Sequence, residues 1–420
     1  MTFRQSKPRL RLRDSRAQLI ADAAFFALFP GFFFYHTLLG TGTIRAFLGG
    51  YFSPLSFLFA LPLAAILFSH YKVNSRCISS LEIHCMIFIS YFLTIVIFNS
   101  VAGANRAIVV KHLLCILFMV NSFIIFSNID FSSPTFRLGA LAALLGMSTI
   151  AFSYSVNGVF YLGALGVAKD ADSLATYQGF ARSYLVTVLP LVAFTRSLAL
   201  RLPLYALGVA TLFVNTARSE FVAFLFVIPV IEFYFSRRKT LFILAAVLIC
   251  VWLNIYLEQL LAVVPDNRIL ELLDLSHSSS ASKRHHLSAH AIQTIMTHPF
   301  MGDYASYAPG YYAHNILSAW VDLGLFGFIY IIAILIFPAV PIFLREYFSG
   351  RPNGIVILGL SLLCSTSLLL ATSHYFTDML IGATLGAYAQ YRYGRKYGKH
   401  RTPDVGTSAS RYPDIHKAMP

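Results

Sequence analysis

Long apolar segments recur along this chain of 420 residues, separated by short polar or basic stretches. Most of them approach the ~20 residues that an α-helix needs to cross the hydrocarbon core of a bilayer. They lack the two-residue alternation that is typical of half-buried strands. The pattern therefore predicts an all-α, polytopic membrane protein with about twelve transmembrane helices. The predicted spans are 18–40, 48–69, 82–102, 108–128, 137–157, 180–199, 203–217, 219–236, 240–262, 314–343, 354–372 and 375–391.

The polar stretches between the spans divide the chain into regions. We expect a basic cytoplasmic N-terminus over 1–17, transmembrane helices over 18–262, a large periplasmic loop over 263–313, further transmembrane helices over 314–391, and a basic, disordered cytoplasmic tail over 392–420. No small-residue cleavage pattern follows the basic start, so the first apolar segment is expected to remain as a helix.

The composition agrees with a membrane protein. Hydrophobic residues make up 57% of the chain and charged residues 12%, against about a quarter charged in soluble domains. Much of the net charge of +14 lies at the two ends. Basic segments beside membrane helices mark the cytoplasmic side and bind anionic lipid, so membrane lipid rather than nucleic acid is the expected partner. Arg106 and Lys111 are exceptions, because this topology places them on the outer side.

The large polar loop contains one segment with helical periodicity, residues 283–298. Leu287, Ala291, Ile292 and Ile295 fall on one face of this predicted helix, and Pro299 ends it. An amphipathic helix of this kind lies either along the membrane surface or directly on the spans beneath it. The sequence leaves both arrangements open.

Ionisable side chains from five separate stretches meet at the outer ends of the predicted spans. Such groups are costly near the membrane interior, so each is a functional candidate. A single arginine at a helix end commonly extends to the lipid headgroups, but this does not explain a whole set of cations and imidazoles on one face. The set consists of Arg182, Arg218, Arg284, His314, His374 and Asp378.

These residue types suit group transfer from a phosphate. A planar guanidinium binds two phosphate oxygens at once, and histidine can take a proton from a hydroxyl group. Glycosyl transfer from a lipid-diphosphate sugar donor needs both, with the diphosphate as leaving group. His286 and His290 are one helical turn apart, but no Asp, Glu or Cys accompanies them. Neither a metal nor another cofactor is therefore expected.

Two stretches of the loop region carry a family resemblance. RHHLSAHAIQTIMTHPFMGD starts at Arg284 and contains a His-Pro-x-x-Gly turn at His298, while HNILSAWVDLGLFG starts at His314. Upstream, NTARSE places Arg218 in a turn between two predicted spans. An arginine, a helix, the His-Pro-x-x-Gly turn, a His-Asn pair, an acidic residue and spaced glycines resemble, in this order, the O-antigen ligase/polymerase superfamily. The motifs lie within about 178–328.

The resemblance implies a metal-independent, inverting transfer of an undecaprenyl-diphosphate-linked glycan at the periplasmic face of the bacterial inner membrane. His314 and Arg218 match the catalytic positions of the family. The implied substrate-binding residues are Arg182, Arg284, His298, Tyr312, Asn315 and Asp322. The chain departs from the family pattern at Asp322, where glutamate is usual, and at Ala217-Arg218-Ser219, where Ser-Arg-Gly is usual.

The resemblance also suggests how some of these residues act. Asn315 is expected to orient the donor or the loop, Asp322 to orient a neighbouring group, and Arg284 to contact the donor when the loop closes.

The acceptor and the functional class remain open at this point. A ligase moves a finished glycan to the lipid A core, whereas a polymerase moves the chain to the next lipid-linked repeat; the single compact loop favours a ligase slightly. Either enzyme could work with other polysaccharide-assembly proteins. A transporter or flippase of a lipid-linked or anionic solute could use the same arginines, although it would more often carry charges or broken helices at mid-membrane depth.

Overall fold

The computed structural model describes residues 7–48, 50–74, 80–169, 174–263, 269, 279–347 and 353–398. Within these ranges the fold is helical, and extended pairing is limited to one bridge between Val156 and Val159. The predicted all-α class is confirmed. The helices are α1 Lys7–Leu28, α2 Pro30–Gly40, α3 Phe52–Asn74, α4 Ser80–Val101, α5 Arg106–Asn128, α6 Pro134–Ser153, α7 Tyr177–Ala193, α8 Leu198–Asn215, α9 Arg218–Phe235, α10 Lys239–Val263, α11 Ser279–Thr297, α12 Leu317–Ile342, α13 Gly354–Thr372 and α14 Met379–Gly398.

Nine stretches of the described chain are long and apolar enough to cross a membrane. They are Arg16–Gly40, which joins α1 to α2, and parts or all of α3, α4, α5, α6, α8, α10, α12 and α13. The prediction of a multi-pass membrane protein is confirmed at this level, but the count of twelve is not. The remaining predicted spans correspond to α7, which has 17 residues, to α9, which contains Arg218, Glu220 and Glu232, and to α14, which ends in the basic sequence YRYGRKYG.

Two predicted regions differ from the structure at their boundaries. The tail was expected from residue 392, whereas α14 continues as a helix to Gly398; residues 399–420 lie outside the described part of the chain. Most of 264–278, the first part of the predicted loop, also lies outside it. The tenth span was expected from His314, but α12 begins at Leu317.

Close packing of α14 along α5 fixes the centre of the bundle. A Cβ atom at Gly382 would collide with the carbonyl oxygen of Met119, and one at Gly386 with the carbonyl oxygen of Phe123. Small residues four positions apart allow two helix backbones to approach this closely. The start of α14 is therefore held beside α5, and this contact brings together two walls of the cavity described below.

The loop helix α11 packs on α12. Ala291 and Ile295 are buried in a small cluster with Ala313 and Val321. Of the two arrangements that the sequence left open, the structure has the one in which the helix lies on the spans. Ile292 was assigned to the same apolar face but is 48% exposed, because the contact with α12 covers a narrower stripe than the periodicity predicted.

The His-Pro-x-x-Gly turn docks onto a break in α12. Gly324 has φ 68° and ψ −175°, a conformation that interrupts the helix and is essentially restricted to glycine. The backbone N–H of Asp303 donates to the carbonyl of Val321 (2.7 Å), and that of Leu325 donates to the carbonyl of Phe300 (3.1 Å). A Cβ atom at Gly302 or Gly324 would meet the backbone of the other segment. Gly302 of the turn and Gly324 of α12 therefore allow the two backbones to meet.

Candidate functional site

One end of the bundle contains a cavity of about 310 Å³. Its walls come from the junction of α1 and α2, from the start of α3, from the first half of α5, from the starts of α7 and α14, from the loop before α12, and from the turn between α13 and α14. The polar and charged side chains of the wall include Lys111, Gln178, Arg182, Tyr312, His314, His374, Tyr375 and Asp378, and the apolar ones Phe29, Phe32, Phe52, Phe118 and Met379.

A chain of charged groups crosses the floor of the cavity. Arg182 Nη2 lies 3.1 Å from Asp378 Oδ2, and His374 Nδ1 lies 2.7 Å from the same oxygen. On the other side of the ring, His374 Nε2 lies 3.0 Å from Glu220 Oε1. An imidazole that donates to a carboxylate from both nitrogens carries two protons and a positive charge. The 3.5 Å contact between Arg182 Nη2 and His374 Nδ1 therefore joins two donors and is not a hydrogen bond.

The electrostatics of this chain agree with its geometry. Burial disfavours the imidazolium, but the Asp378 and Glu220 carboxylates outweigh it and raise the pKa of His374 to about 9. Burial likewise disfavours the Asp378 carboxylate, yet Arg182 and His374 hold the pKa of Asp378 below its ordinary value. The cavity thus keeps a second fixed cation, His374, beside Arg182 at neutral pH.

His314 has the opposite electrostatic character. Its ring is half-buried and packs on Tyr312, with the ring centroids 4.6 Å apart. Burial, followed by the charges of Arg284, Lys111 and His374, lowers the pKa of His314. The neutral imidazole is therefore the form present at pH 7, and this form can accept a proton.

Lys111 lines the cavity, although no role was predicted for it from the sequence. Its Nζ lies 4.1 Å from the centroid of the Tyr312 ring and 5.4 Å from that of Tyr375, distances at which a cation is attracted to an aromatic face. The signal that could have revealed it was its place on the predicted outer side, against the charge rule for membrane loops. Glu220 and Tyr375 were also missed. Only the folded chain brings Glu220 to His374 and Tyr375 to the cavity wall.

The expected site residues separate into two groups. Arg182, Tyr312 and His314 line the cavity, and Arg284 acts on His314 through its charge. Of the proposed catalytic pair, only His314 is on the wall. The residues that were expected to act in the site but do not line the cavity are Arg218, His298, Asn315 and Asp322.

The reasons for these four positions are local. Arg218 begins α9, and it is Glu220, on the same turn, that reaches His374. His298 follows the end of α11 and is exposed. Asn315 Nδ2 donates to Ser288 Oγ (3.1 Å) and Asn315 Oδ1 accepts from the N–H of Leu317 (3.0 Å). Asn315 thus caps α12 and ties it to α11, which supports the expectation that it orients the loop.

Asp322 is 1% exposed and faces the loop rather than the cavity. It accepts hydrogen bonds from the N–H of Ala305 (2.9 Å), from the hydroxyl of Tyr307 (2.9 Å) and from the hydroxyl of Tyr375. These contacts agree with the expectation that Asp322 orients a neighbouring group, and that role stays a prediction. Its burial away from the cavity does not agree with direct binding of substrate.

No protein-family model matches the chain, and a comparison with curated proteins gives no match either. The function is therefore argued from the cavity and the motifs.

Proposed function

We propose that this protein is a glycosyltransferase of the O-antigen ligase type, which moves an undecaprenyl-diphosphate-linked glycan to a sugar hydroxyl at the periplasmic face of the bacterial inner membrane. The observation that carries the proposal is the composition of one cavity. Arg182 and Lys111 bring cations to it, and His314 brings a neutral base. The charge of His374 is balanced by Asp378 and Glu220, and four phenylalanine rings line the apolar side.

The two kinds of wall match the two parts of such a donor. The cations suit a diphosphate, which arginine binds through two oxygens at once. The rings of Phe29, Phe32, Phe52 and Phe118 suit the isoprenoid units next to it, since apolar surface is stabilised by removal from water.

The proposed reaction is a single inverting displacement. The neutral His314 ring takes the proton of the acceptor hydroxyl, whose oxygen attacks the anomeric carbon. The bond between that carbon and the phosphate oxygen breaks, and the bonding electrons leave with the diphosphate. Arg182 and Lys111 stabilise the negative charge that develops on the leaving group. The acceptor is the lipid A core in the ligase form of the proposal, or the next lipid-linked repeat in the polymerase form.

A transporter of a lipid-linked or anionic solute is the second candidate. It would need a polar path through the bundle beyond the cavity. Phe29 lines the cavity and packs on the buried rings of Phe25 and Phe126 behind it. This aromatic layer opposes passage of a charged group and favours chemistry at one end of the bundle.

The test is a transfer assay with the purified protein in liposomes. The donor is a synthetic undecaprenyl-diphosphate oligosaccharide, offered with lipid A core and, separately, alone. We expect His314→Ala to lower the transfer rate by at least about 100-fold and Arg182→Gln to raise the KM for the donor. Product on the core identifies a ligase, and a ladder from donor alone identifies a polymerase.

His286→Ala is the matched control, because it removes an exposed histidine of α11 that does not line the cavity and should leave transfer unchanged. Full activity of His314→Ala would contradict the proposed base. Movement of intact donor across the liposome bilayer with no transfer to either acceptor would replace the enzyme by the transporter.

A further inference from the structure

A hydrogen-bonded group of three tyrosines, one histidine and one aspartate lies directly behind the cavity wall. Tyr375 is at its centre: the hydroxyl contacts His112 Nε2 (2.7 Å), the hydroxyl of Tyr307 (2.6 Å) and the Asp322 carboxylate. On the other side of the histidine, Nδ1 contacts the hydroxyl of Tyr304 (2.8 Å). We refer to Tyr304, Tyr307, Tyr375, His112 and Asp322 as the tyrosine network.

The hydrogen positions in the tyrosine network follow from its single carboxylate. Tyr375 donates to Asp322, so its oxygen is left to accept from Nε2–H of His112. The hydroxyl proton of Tyr307 is shared between Asp322 and the oxygen of Tyr375. The other ring nitrogen of His112, Nδ1, then accepts from the hydroxyl of Tyr304. Every member of the network has a partner in this arrangement. Fully satisfied buried networks of this kind fix one geometry.

The tyrosine network joins four parts of the chain that meet only in the folded protein. His112 comes from α5, Tyr304 and Tyr307 from the loop, Asp322 from α12, and Tyr375 from the turn before α14. The segment between α11 and α12, residues 298–316, is thus anchored by this network in its first half. It is anchored at its end by the Asn315 cap of α12, and His314 lies between these two anchors.

A row of rings connects the tyrosine network to the proposed base. The centroid of the Tyr375 ring lies 4.6 Å from that of Tyr312, which in turn lies 4.6 Å from that of His314. Aromatic pairs at these separations attract each other and resist relative rotation. A displacement of Tyr375 is therefore passed through Tyr312 to His314.

We propose that Tyr375 is a positioning residue, whose hydroxyl holds the loop so that His314 faces the cation side of the cavity at a reactive distance. The inference rests on the proposed function for its kinetic consequence. It goes beyond that function by assigning the geometry of the base to a group of side chains that does not take part in proton transfer. Arg182 and Lys111 bind the donor independently of the Tyr375 hydroxyl.

The test variant is Tyr375→Phe, which keeps the ring and removes the hydroxyl. We expect kcat to fall roughly 10- to 100-fold, since a small misplacement of a reacting group has effects of this size. The KM for the donor and the stoichiometry of donor binding should stay unchanged. This split separates positioning from a simple loss of folded protein, which would lower the binding stoichiometry together with the rate.

Tyr205→Phe is the matched control. The hydroxyl of Tyr205 donates to Glu232 Oε1 (2.6 Å) beside the Arg201–Glu232 ion pair, and Tyr205 does not line the cavity. The substitution thus removes a hydroxyl that is bound to a carboxylate and leaves the cavity unchanged. We expect this variant to transfer at the normal rate. Equal losses of kcat in the two variants would show that Tyr375 has a merely structural role.

A second measurement does not depend on transfer. Diethyl pyrocarbonate modifies accessible neutral histidines, and mass spectrometry reports the rate at His314 alone. We expect this rate to rise in Tyr375→Phe and to stay constant in Tyr205→Phe. One possible result is that the wild type transfers glycan while Tyr375→Phe changes neither kcat nor the modification rate at His314. That result would overturn the inference. No transfer by the wild type, with the rate at His314 still raised in Tyr375→Phe, would overturn the proposed function and leave the positioning role standing.

Discussion

The two histidines of the cavity are given different charges by their neighbours. His374 donates to the carboxylates of Asp378 and Glu220, which stabilise its protonated form. Burial favours the neutral form of His314, and the charges of Arg284, Lys111 and His374 act in the same direction. The cations Arg182 and Lys111 together with one neutral base in the same cavity are what a displacement with an anionic leaving group requires.

The raised pKa of His374 determines how the stability of the folded protein depends on pH. The pKa of His374 is raised from its ordinary value of 6.5 to about 9 in the folded protein. Its contribution to the free energy of unfolding is therefore fully present below pH 6.5 and is lost as the pH rises through about 9.

Removing one cation near His314 should move the pH profile of transfer. Arg284 helps to lower the pKa of His314, so Arg284→Gln should raise that pKa towards its ordinary value. The base is active in its neutral form, and the acid limb of kcat/KM should therefore shift to higher pH. The measurement is the transfer rate at fixed donor concentrations across about pH 4.5 to 8.5, roughly two units on each side of the ordinary histidine pKa.

Arg106→Gln is the control for this shift. It removes the same charge from an exposed position at the start of α5, outside the cavity wall. An acid limb that moves equally in both variants would mean that general surface charge, rather than Arg284, sets the protonation of His314.

The kink in α12 shows how two short motifs act as one structural unit. Gly302 and Gly324 both have positive φ, and each allows the backbone of one segment to meet the backbone of the other. The carbonyl of Leu323 is available at the break and accepts the hydroxyl of Tyr91 (2.6 Å). The His-Pro-x-x-Gly turn and the first half of α12 are thereby joined, and the loop that carries His314 begins from this junction.

Gly324→Ala should disrupt this junction. The conformation of residue 324 costs a non-glycine residue about 1–3 kcal/mol, and the added Cβ would collide with the carbonyl oxygen of Phe300. We expect a lower thermal midpoint in detergent and a transfer rate that falls further than the loss of folded protein explains. Gly310→Ala is the control, since Gly310 also has positive φ but has open space around it.

A midpoint for Gly324→Ala that equals that of Gly310→Ala would mean that only backbone strain matters. The collision between the two segments would then play no part in holding the loop.

The bundle has two chemically different ends. The cavity end, with Lys111, Arg182 and His314, gathers polar groups inside a pocket. At the other end, Arg201 and Glu232 form a bidentate pair, with N–O distances of 2.6 and 2.7 Å, and the basic run after α9 follows. From the positive-inside rule we predict that the basic end faces the cytoplasm and that the cavity faces outward.

This polarity predicts which surfaces a reagent reaches in intact spheroplasts. In a cysteine-free background, Arg106→Cys and Ser306→Cys should react with a membrane-impermeant maleimide added outside. Arg237→Cys should react only after the membrane is opened. All three sites are exposed on the folded protein, so access depends on the side of the membrane. Labelling of Arg237→Cys from outside, with protection of the other two, would invert the topology and place the cavity in the cytoplasm.

The sequence by itself determined the elements and the chemistry that they could carry. Runs of apolar residues fix helices because a backbone in lipid must satisfy its own hydrogen bonds, and α5, α8 and α13 lie close to where the pattern predicted them. His314 and Arg182 were found because ionisable groups near lipid are costly and therefore few.

Tertiary structure alone decided which of these groups work together. Arg182, His314 and His374 are far apart in the chain, and no periodicity encodes the crossing of α5, α7 and α14 that brings them to one cavity. The same crossings buried Asp322 beneath Tyr375 and turned an expected substrate contact into an anchor. Contacts of this kind depend on how side chains fill the space between helices, and that is settled only when the helices pack.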